Sequence, residues 1–228
     1  LSFGAGAASA GCRAYLAVAG GFEVEEVMGS RSTNLRCALG GFEGRALREG
    51  DLLPAIPQAA LPRNLDRRRL AAADLARLDQ VLPGPEEVRT LRFVPGPQAD
   101  RFAGAAMEAF LGTIYRLSPR SDRMGCRLEG PALPVRGKTD ILSDAVPEGG
   151  IQIPSDGLPI VRTADRQTTG GYAKIGTVIG RDLPALAQRR PGEPVRFLAV
   201  SKRRARALYL EEERMLKRLE RKFLGGPR

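Results

Sequence analysis

The sequence predicts a mainly β protein with minor α, and three observations carry that prediction. Short runs rich in β-branched residues recur about every ten residues between Gly, Pro and Asp turns, the spacing of a barrel or sandwich rather than of a parallel sheet covered by helices. One of them, Val88-Arg89-Thr90-Leu91-Arg92-Phe93-Val94, alternates apolar and polar with period two, as a half-buried strand does. Helical periodicity is sustained over only one long stretch, from Lys202 onward.

Taken in order, Arg13 to Ala19 followed by Gly20-Gly21 reads as a mostly buried strand ended by a glycine turn. Gly29-Ser30-Arg31-Ser32-Thr33 reads either as an anion-friendly loop or as a short helix capped by Ser or Thr. Arg48 to Leu53 has the turn-then-strand character of small barrels. Pro54, Pro57 and Pro62 mark a connector, and Asn64 to Leu78 reads as a short exposed helix. After the strand at 88–94, Asp100 to Phe110 suggests one short helix with Asp100 as its cap. Further strands are expected at Thr113–Ser118, Gly149–Pro154, Ile160–Thr163, Ile175–Ile179 and Val195–Val200. Asp182 is a candidate cap for a short helix that tolerates Pro184 in its first turn. In the final helix Leu208, Met215, Leu216, Leu219 and Phe223 share one face.

Composition narrows the function. The formal charge of +10 is concentrated: residues 201–228 hold ten Lys/Arg against four Glu, which leaves only +4 on the other 200 residues. A solvated basic helix accounts for that distribution better than specific nucleic-acid binding does, and no recognition-helix or RNA-binding signature is present. There is no His, so a His-based triad, general base or metal site is excluded, and three scattered Cys make structural zinc an unfavourable reading. Proton transfer then falls to Asp, Glu, Lys, Tyr or Cys. The odd, unpaired cysteines suit a reducing cytoplasm, and no apolar run approaches membrane-spanning length.

The richest segment is Asp165-Arg166-Gln167-Thr168-Thr169-Gly170-Gly171-Tyr172-Ala173-Lys174. Read as a loop between two strands, it is far more polar than a turn needs. Its glycine pair permits close approach of a backbone or ligand, and its side chains offer donors and acceptors of both charge signs. That suits a small polar substrate with a carboxylate, amide or phosphate. The plainer alternative is a tight loop whose Asp and Thr side chains satisfy their own backbone.

This loop, together with Ser121-Asp122-Arg123-Met124-Gly125-Cys126-Arg127-Leu128-Glu129-Gly130-Pro131, Gly29-Ser30-Arg31-Ser32-Thr33-Asn34-Leu35 and Gly40-Gly41-Phe42-Glu43-Gly44, resembles the biotin-dependent carboxyltransferase family. That family is also called allophanate hydrolase subunit 2. It includes the C subunit of bacterial 5-oxoprolinase, the KipA-type proteins and the carboxyltransferase part of urea carboxylase. The resemblance runs from about Gly4 to Ser201, with Cys126 where Tyr is common and Ala173 where Pro is common. Family members usually begin with about a hundred further residues, so the chain reads as N-terminally truncated.

The resemblance implies a cyclophilin-like β-barrel with a long C-terminal helix. The chain would then divide into residues 1–97, the remainder of an N-terminal β subdomain plus connector, residues 98–201, a barrel half, and residues 202–228, the basic amphipathic helix. It implies the C subunit of a 5-oxoprolinase, which opens 5-oxo-L-proline to L-glutamate with ATP, in complex with the A and B subunits (KipI-like and LamB/YcsF-like proteins). A urea carboxylase-like carboxyltransferase and a KipA-type regulator stay open as alternatives. No Met-Lys-Met biotin-attachment segment occurs, which leaves any role for biotin open. ATP is the co-substrate of the complex, and no metal is expected. Asp165, Arg166 and Lys174 are the expected catalytic residues. Arg123, Gln167, Thr168, Thr169, Tyr172, Ser30 and Arg31 are the expected substrate-binding ones. For Arg123 the competing reading is an ion pair with Asp122 or Glu129, and for Tyr172 a half-buried aromatic.

Overall fold

The computed structural model describes residues 11–57, 88–102, 104–134, 137 and 140–224. The chain divides into two compact units, one formed by Ala14–Arg69 and the other by Leu1–Arg13 with Leu70–Arg228.

The larger unit is mainly β. Its strands are β1 (Arg89–Pro95), β2 (Tyr115–Leu117), β3 (Gly125–Glu129), β4 (Asp140–Ala145), β5 (Gly150–Gln152), β6 (Ile160–Arg162), β7 (Thr169–Tyr172), β8 (Lys174–Val178) and β9 (Pro194–Ala199). Seven close into a barrel in the order β1-β8-β5-β6-β3-β2-β9, with β1 and β9 parallel and every other pair antiparallel. Leu91, Phe93, Leu128, Ile151, Val161, Ile175 and Val195 fill the interior. The few aromatics concentrate there: Phe110 stacks on Phe197 with centroids 4.3 Å apart, and Phe93 meets Phe110 edge-on at 5.4 Å. Such pairs stabilise by about 0.5–1.5 kcal/mol beyond their buried area.

Among the described residues three helices accompany the barrel: α1 (Ala105–Gly112), α2 (Leu183–Ala187) and α3 (Lys202–Leu224). The single helix expected from Asp100 to Phe110 is two pieces. Asp100 lies inside a 3-10 turn, Ala99–Phe102, and the cap position of α1 is Gly104, which has no side chain to cap with. Asp182 stands at the cap position of α2, but its carboxylate does not cap. It accepts instead from the Arg92 backbone N (2.7 Å), from Arg92 Nε (2.9 Å) and from Nη2, because a buried carboxylate gains more from three donors on β1, two of them charged, than from one helix N–H. At the start of α3, Ser201 Oγ accepts the Arg204 N–H at 3.1 Å. Leu208 is buried, Met215 and Leu219 are half-buried and Leu216 is exposed, so the packed face of α3 is narrower than its sequence suggests; the Phe223 side chain lies outside the described residues. No helix among the described residues is long and apolar enough to cross a membrane.

The unexpected element is a two-stranded ribbon of β4 and β7, with Asp140 opposite Tyr172, Asp144 opposite Gly170 and Ala145 opposite Thr169. Half of the polar segment from Asp165 to Lys174 is therefore strand rather than loop. Its Thr-Gly-Gly-Tyr sequence hides this, since glycine is depleted from strands and backbone pairing alone carries the ladder.

In the smaller unit, residues 14–57 are held by turns and isolated bridges such as Phe22 with Ala55. The strand expected over Arg13–Ala19 does not form, and Tyr15 is fully exposed, because no strand among the described residues pairs with this run. No helix forms at Ser30–Thr33 either. Met28 and Gly29, both at positive φ, make a two-residue turn closed by Val27 N to Ser30 O (2.8 Å) and Ser30 N to Val27 O (3.1 Å). The turn at Arg48–Asp51 is present, whereas no strand follows it and Leu52 is exposed. The helix expected at Asn64–Leu78 falls outside the described residues.

Candidate functional site

Before β3, the Asp122 carboxylate accepts the N–H groups of Met124 (2.9 Å) and Gly125 (3.1 Å), which folds the chain into a tight Asx turn with Arg123 at its tip. Ser121 Oγ anchors the turn by accepting the Arg127 N–H at 3.0 Å. The segment after β6 is joined to this tip. Asp165 N and Thr163 Oγ1 both donate to the Arg123 carbonyl, at 3.0 and 2.5 Å, and the Arg123 guanidinium grips the Asp165 carboxylate at 2.9 and 3.2 Å. Arg123 thus pairs across the two motifs, with Asp165, rather than with Asp122 or Glu129 in its own. Both partners are exposed by about half, so the fork serves geometry more than stability.

From Asp165 the chain crosses to the end of β4. Arg166 Nε donates to the Val146 carbonyl (2.9 Å), and the Thr168 carbonyl accepts the Val146 N–H (2.9 Å). Thr168 and Thr169 are exposed, and Tyr172, on β7, is 38% exposed. Gln167 is half-buried and its Oε1 has no hydrogen-bond partner. At the start of β8, Lys174 is only 3% exposed, and its Nζ donates to Asp144 Oδ2 at 2.9 Å. That ammonium holds the Asp144 carboxyl below the usual carboxylate range, with the Ala145 N–H assisting. Gln98 braces the pair: its Oε1 accepts the Lys174 N–H (3.2 Å) and its Nε2 donates to Asp144 (3.4 Å).

The structure therefore brings Arg123 and Asp165 into direct contact and ties Arg166 and Lys174 to adjacent points of one segment, Asp144–Val146. Among the described residues no direct bond joins Arg123 to Lys174. Ser30 and Arg31 lie in the smaller unit, where Ser30 Oγ accepts the Ser32 N–H (3.1 Å) and Arg31 sits 3.9 Å from Glu26.

Sequence reasoning missed Asp144, Gln98, Gln152 and Arg162. The last two follow Ile151 and Val161, which point into the core, so by strand alternation they face out of the barrel. They are nevertheless 0% and 8% exposed. Over Gln152 it is the ribbon that closes: a Cβ on Gly170 would stand 2.8 Å from Gln152 Nε2 and 3.1 Å from Val146 Cγ2. The glycine pair is thus where the backbone closes over a buried amide. Gln152 Oε1 accepts Arg162 Nε at 2.7 Å. Burial, and next the charge of Arg127, lower the Arg162 pKa from its ordinary value, against the opposing pull of Asp122 and Tyr172. A polar residue between Ile151 and Ile153 was the available signal, but alternation alone reads it as solvated.

Comparison with known proteins adds the family. The model of the carboxyltransferase domain, subdomain A and B, matches residues 1–199. The chain belongs to the carboxyltransferase domain family. It is 37% identical over 209 residues to the C subunit of 5-oxoprolinase from Escherichia coli, covering 92% of this chain and 63% of that protein. To the protein of the same name in Haemophilus influenzae it is 36% identical over 214 residues, covering 94% and 64%. It is 29% identical to the urea amidolyase of Lachancea kluyveri, covering 94% of this chain and 12% of that one. Among solved structures, the urea amidolyase of K. lactis superimposes with a TM-score of 0.75 at 26% identity over 90% of this chain and 13% of that one. The protein TTHA0988 does so with a TM-score of 0.57 at 37% identity over 80% and 32%. This carboxyltransferase-family chain thus spans under two thirds of the length of the 5-oxoprolinase proteins it resembles.

Proposed function

We propose that this chain is the C-type component of a 5-oxoprolinase complex, acting with A-type and B-type partners in the ATP-dependent opening of 5-oxo-L-proline to L-glutamate. Its greater sequence similarity to relatives named as the C subunit of 5-oxoprolinase than to those named urea amidolyase is the observation that carries this reading. Opening a lactam requires cations at the developing oxyanion and a carboxylate to orient or deprotonate. Arg166 supplies the first, with Lys174 as a buried point charge. Asp165, held by Arg123, supplies the second. Gln167, Thr168, Thr169 and Tyr172 contribute hydrogen bonds to the substrate, and Ser30 and Arg31 are the substrate-binding candidates of the smaller unit, taken by itself. ATP is assigned to the complex as a whole. The three helices among the described residues begin after Gly104, Asp182 and Ser201, none on a glycine-rich phosphate loop.

Carboxyl transfer to urea is the second reading, favoured by the fold likeness to urea amidolyase. Reconstitution with the A-type and B-type partners separates the two. ATP-dependent release of glutamate from 5-oxoproline is expected, with none from the chain alone and no consumption of urea. In the reconstituted complex Asp165→Ala or Arg166→Ala should lower turnover by about two orders of magnitude with folding intact. Unchanged turnover in Asp165→Ala would make the loop structural.

A further inference from the structure

Six N–H donors with no acceptor among the described residues lie on two joined side chains, Gln152 of β5 and Arg162 of β6. Arginine carries five N–H groups, and Arg162 uses one, at Nε, on Gln152; its Nη1 and Nη2 meet no acceptor among the described residues. Gln152 Nε2, wholly buried, adds two more. Near Gly170 the Gln167 amide also stands close, and its buried Oε1 has no partner. Turned onto Gln152, it would satisfy that amide in part and leave the four guanidinium N–H groups as they are. No carboxylate among the described residues pairs with Arg162, in contrast to Lys174, Arg123 and Arg92, each of which has its own. A cation whose residue is 92% covered, with no paired carboxylate and with Arg127 opposing its charge more than Asp122 supports it, carries a desolvation cost. An acceptor-only, negatively charged partner would remove that cost. The side-by-side Nη pair fits the two oxygens of a carboxylate, which accept at about four positions.

We infer that Arg162, braced by Gln152, is the anchor for a carboxylate group of the substrate, under Gly170 and beside Tyr172. This inference rests on the proposed function in one respect: it takes the substrate to be a lactam bearing a carboxylate, and it makes that carboxylate the group that distinguishes it from neutral urea. Arg162 is then a specificity residue, separate from the Asp165, Arg166 and Lys174 set.

The test is binding by the full chain, followed by NMR and calorimetry, with three probes: 5-oxo-L-proline, 2-pyrrolidinone (the same ring without its carboxylate) and inorganic phosphate. The wild-type chain should prefer 5-oxoproline to pyrrolidinone by about tenfold or more, the scale of one charge-assisted contact. Arg162→Gln should bind both equally weakly, while Arg162→Lys keeps part of the preference. If Arg162→Gln fails to fold, the wild-type Arg162 Nε–H resonance decides the question: it should shift with 5-oxoproline and stay still with pyrrolidinone. Equal binding of the two lactams, a preference surviving in folded Arg162→Gln, or phosphate binding tighter than the carboxylate at Arg162 would overturn the assignment. The reconstituted complex separates the two readings. Carboxylate preference without 5-oxoproline hydrolysis would sink the proposed function and leave the anchor standing, whereas hydrolysis with an unchanged KM in Arg162→Gln would do the reverse.

Discussion

Cys126 lies inside one of the two motifs that meet at the candidate site, yet its thiol is not equipped for chemistry. It is 5% exposed, and burial pushes its pKa up to about 11. At pH 8 only about one such thiol in a thousand is ionised, and the thiolate is the nucleophile. Iodoacetamide at pH 8 should therefore label Cys12 and Cys37, both exposed, and label Cys126 about a hundredfold more slowly unless the chain is denatured. Mass spectrometry of the tryptic peptides reads this directly, and rapid native labelling of Cys126 would place it in the site after all. At this scale the sequence was legible where polarity marked a residue. Asp165, Arg123 and Arg166 stood out in exposed or half-buried segments and proved to be joined or tied to one segment. Gln152 and Arg162 did not stand out, because an alternating strand gives a solvated residue and a residue covered by another strand the same pattern.

The elements that sequence period identified are those with a core face. β1, β2, β5, β6, β8 and β9 overlap the runs that β-branched content predicts, overrunning them by at most one residue, since each alternates against the same interior. The ribbon was missed for the converse reason: β4 and β7 bury no residue in the core, with only Ile141 of β4 packed against it, and their pairing rests mainly on backbone hydrogen bonds that any sequence can make. The Asp182 cap was misassigned because a tertiary partner outcompetes the local one. Asp182, through its carboxylate, 7% exposed, ties the start of α2 to Arg92 on β1. Replacing it with Ala strands a largely buried guanidinium, and breaking a buried pair from one side costs about 3 kcal/mol. For a chain of this size the melting temperature should fall by about 6–12 °C. Calorimetry of Asp182→Ala checks this, and Asp182→Asn, which keeps an acceptor, should lose less. A fall under about 2 °C would show that helix and strand are held together by packing alone.

For the whole molecule, the response to acid follows from which carboxyls are held ionised in the fold. In the smaller unit the Arg45 guanidinium meets Asp51 at 2.8 Å through both Nη groups, and Asp51 also accepts the Arg48 N–H at 2.6 Å. Those donors, Arg45 first, lower the Asp51 pKa to about 2, and in the larger unit Lys174 lowers that of Asp144. A carboxyl depressed in the fold contributes stability that is fully present above its unfolded pKa, about 3.9 for Asp, and is lost as pH falls through the folded value. Glu212 on α3 runs the other way: burial raises its pKa, so acid relieves a penalty there. Two favourable carboxylates against one unfavourable predict a net loss of stability between about pH 4 and pH 2. The two units should register it separately. The Arg48 amide should lose hydrogen-exchange protection over that window, and in Asp51→Asn it should be poorly protected already at pH 6, while the amides of β8 respond only to Asp144→Asn. Arg48 protection that is flat from pH 5 to pH 2 would mean that the Arg45–Asp51 clasp does not hold its turn, and that acid acts on the barrel alone.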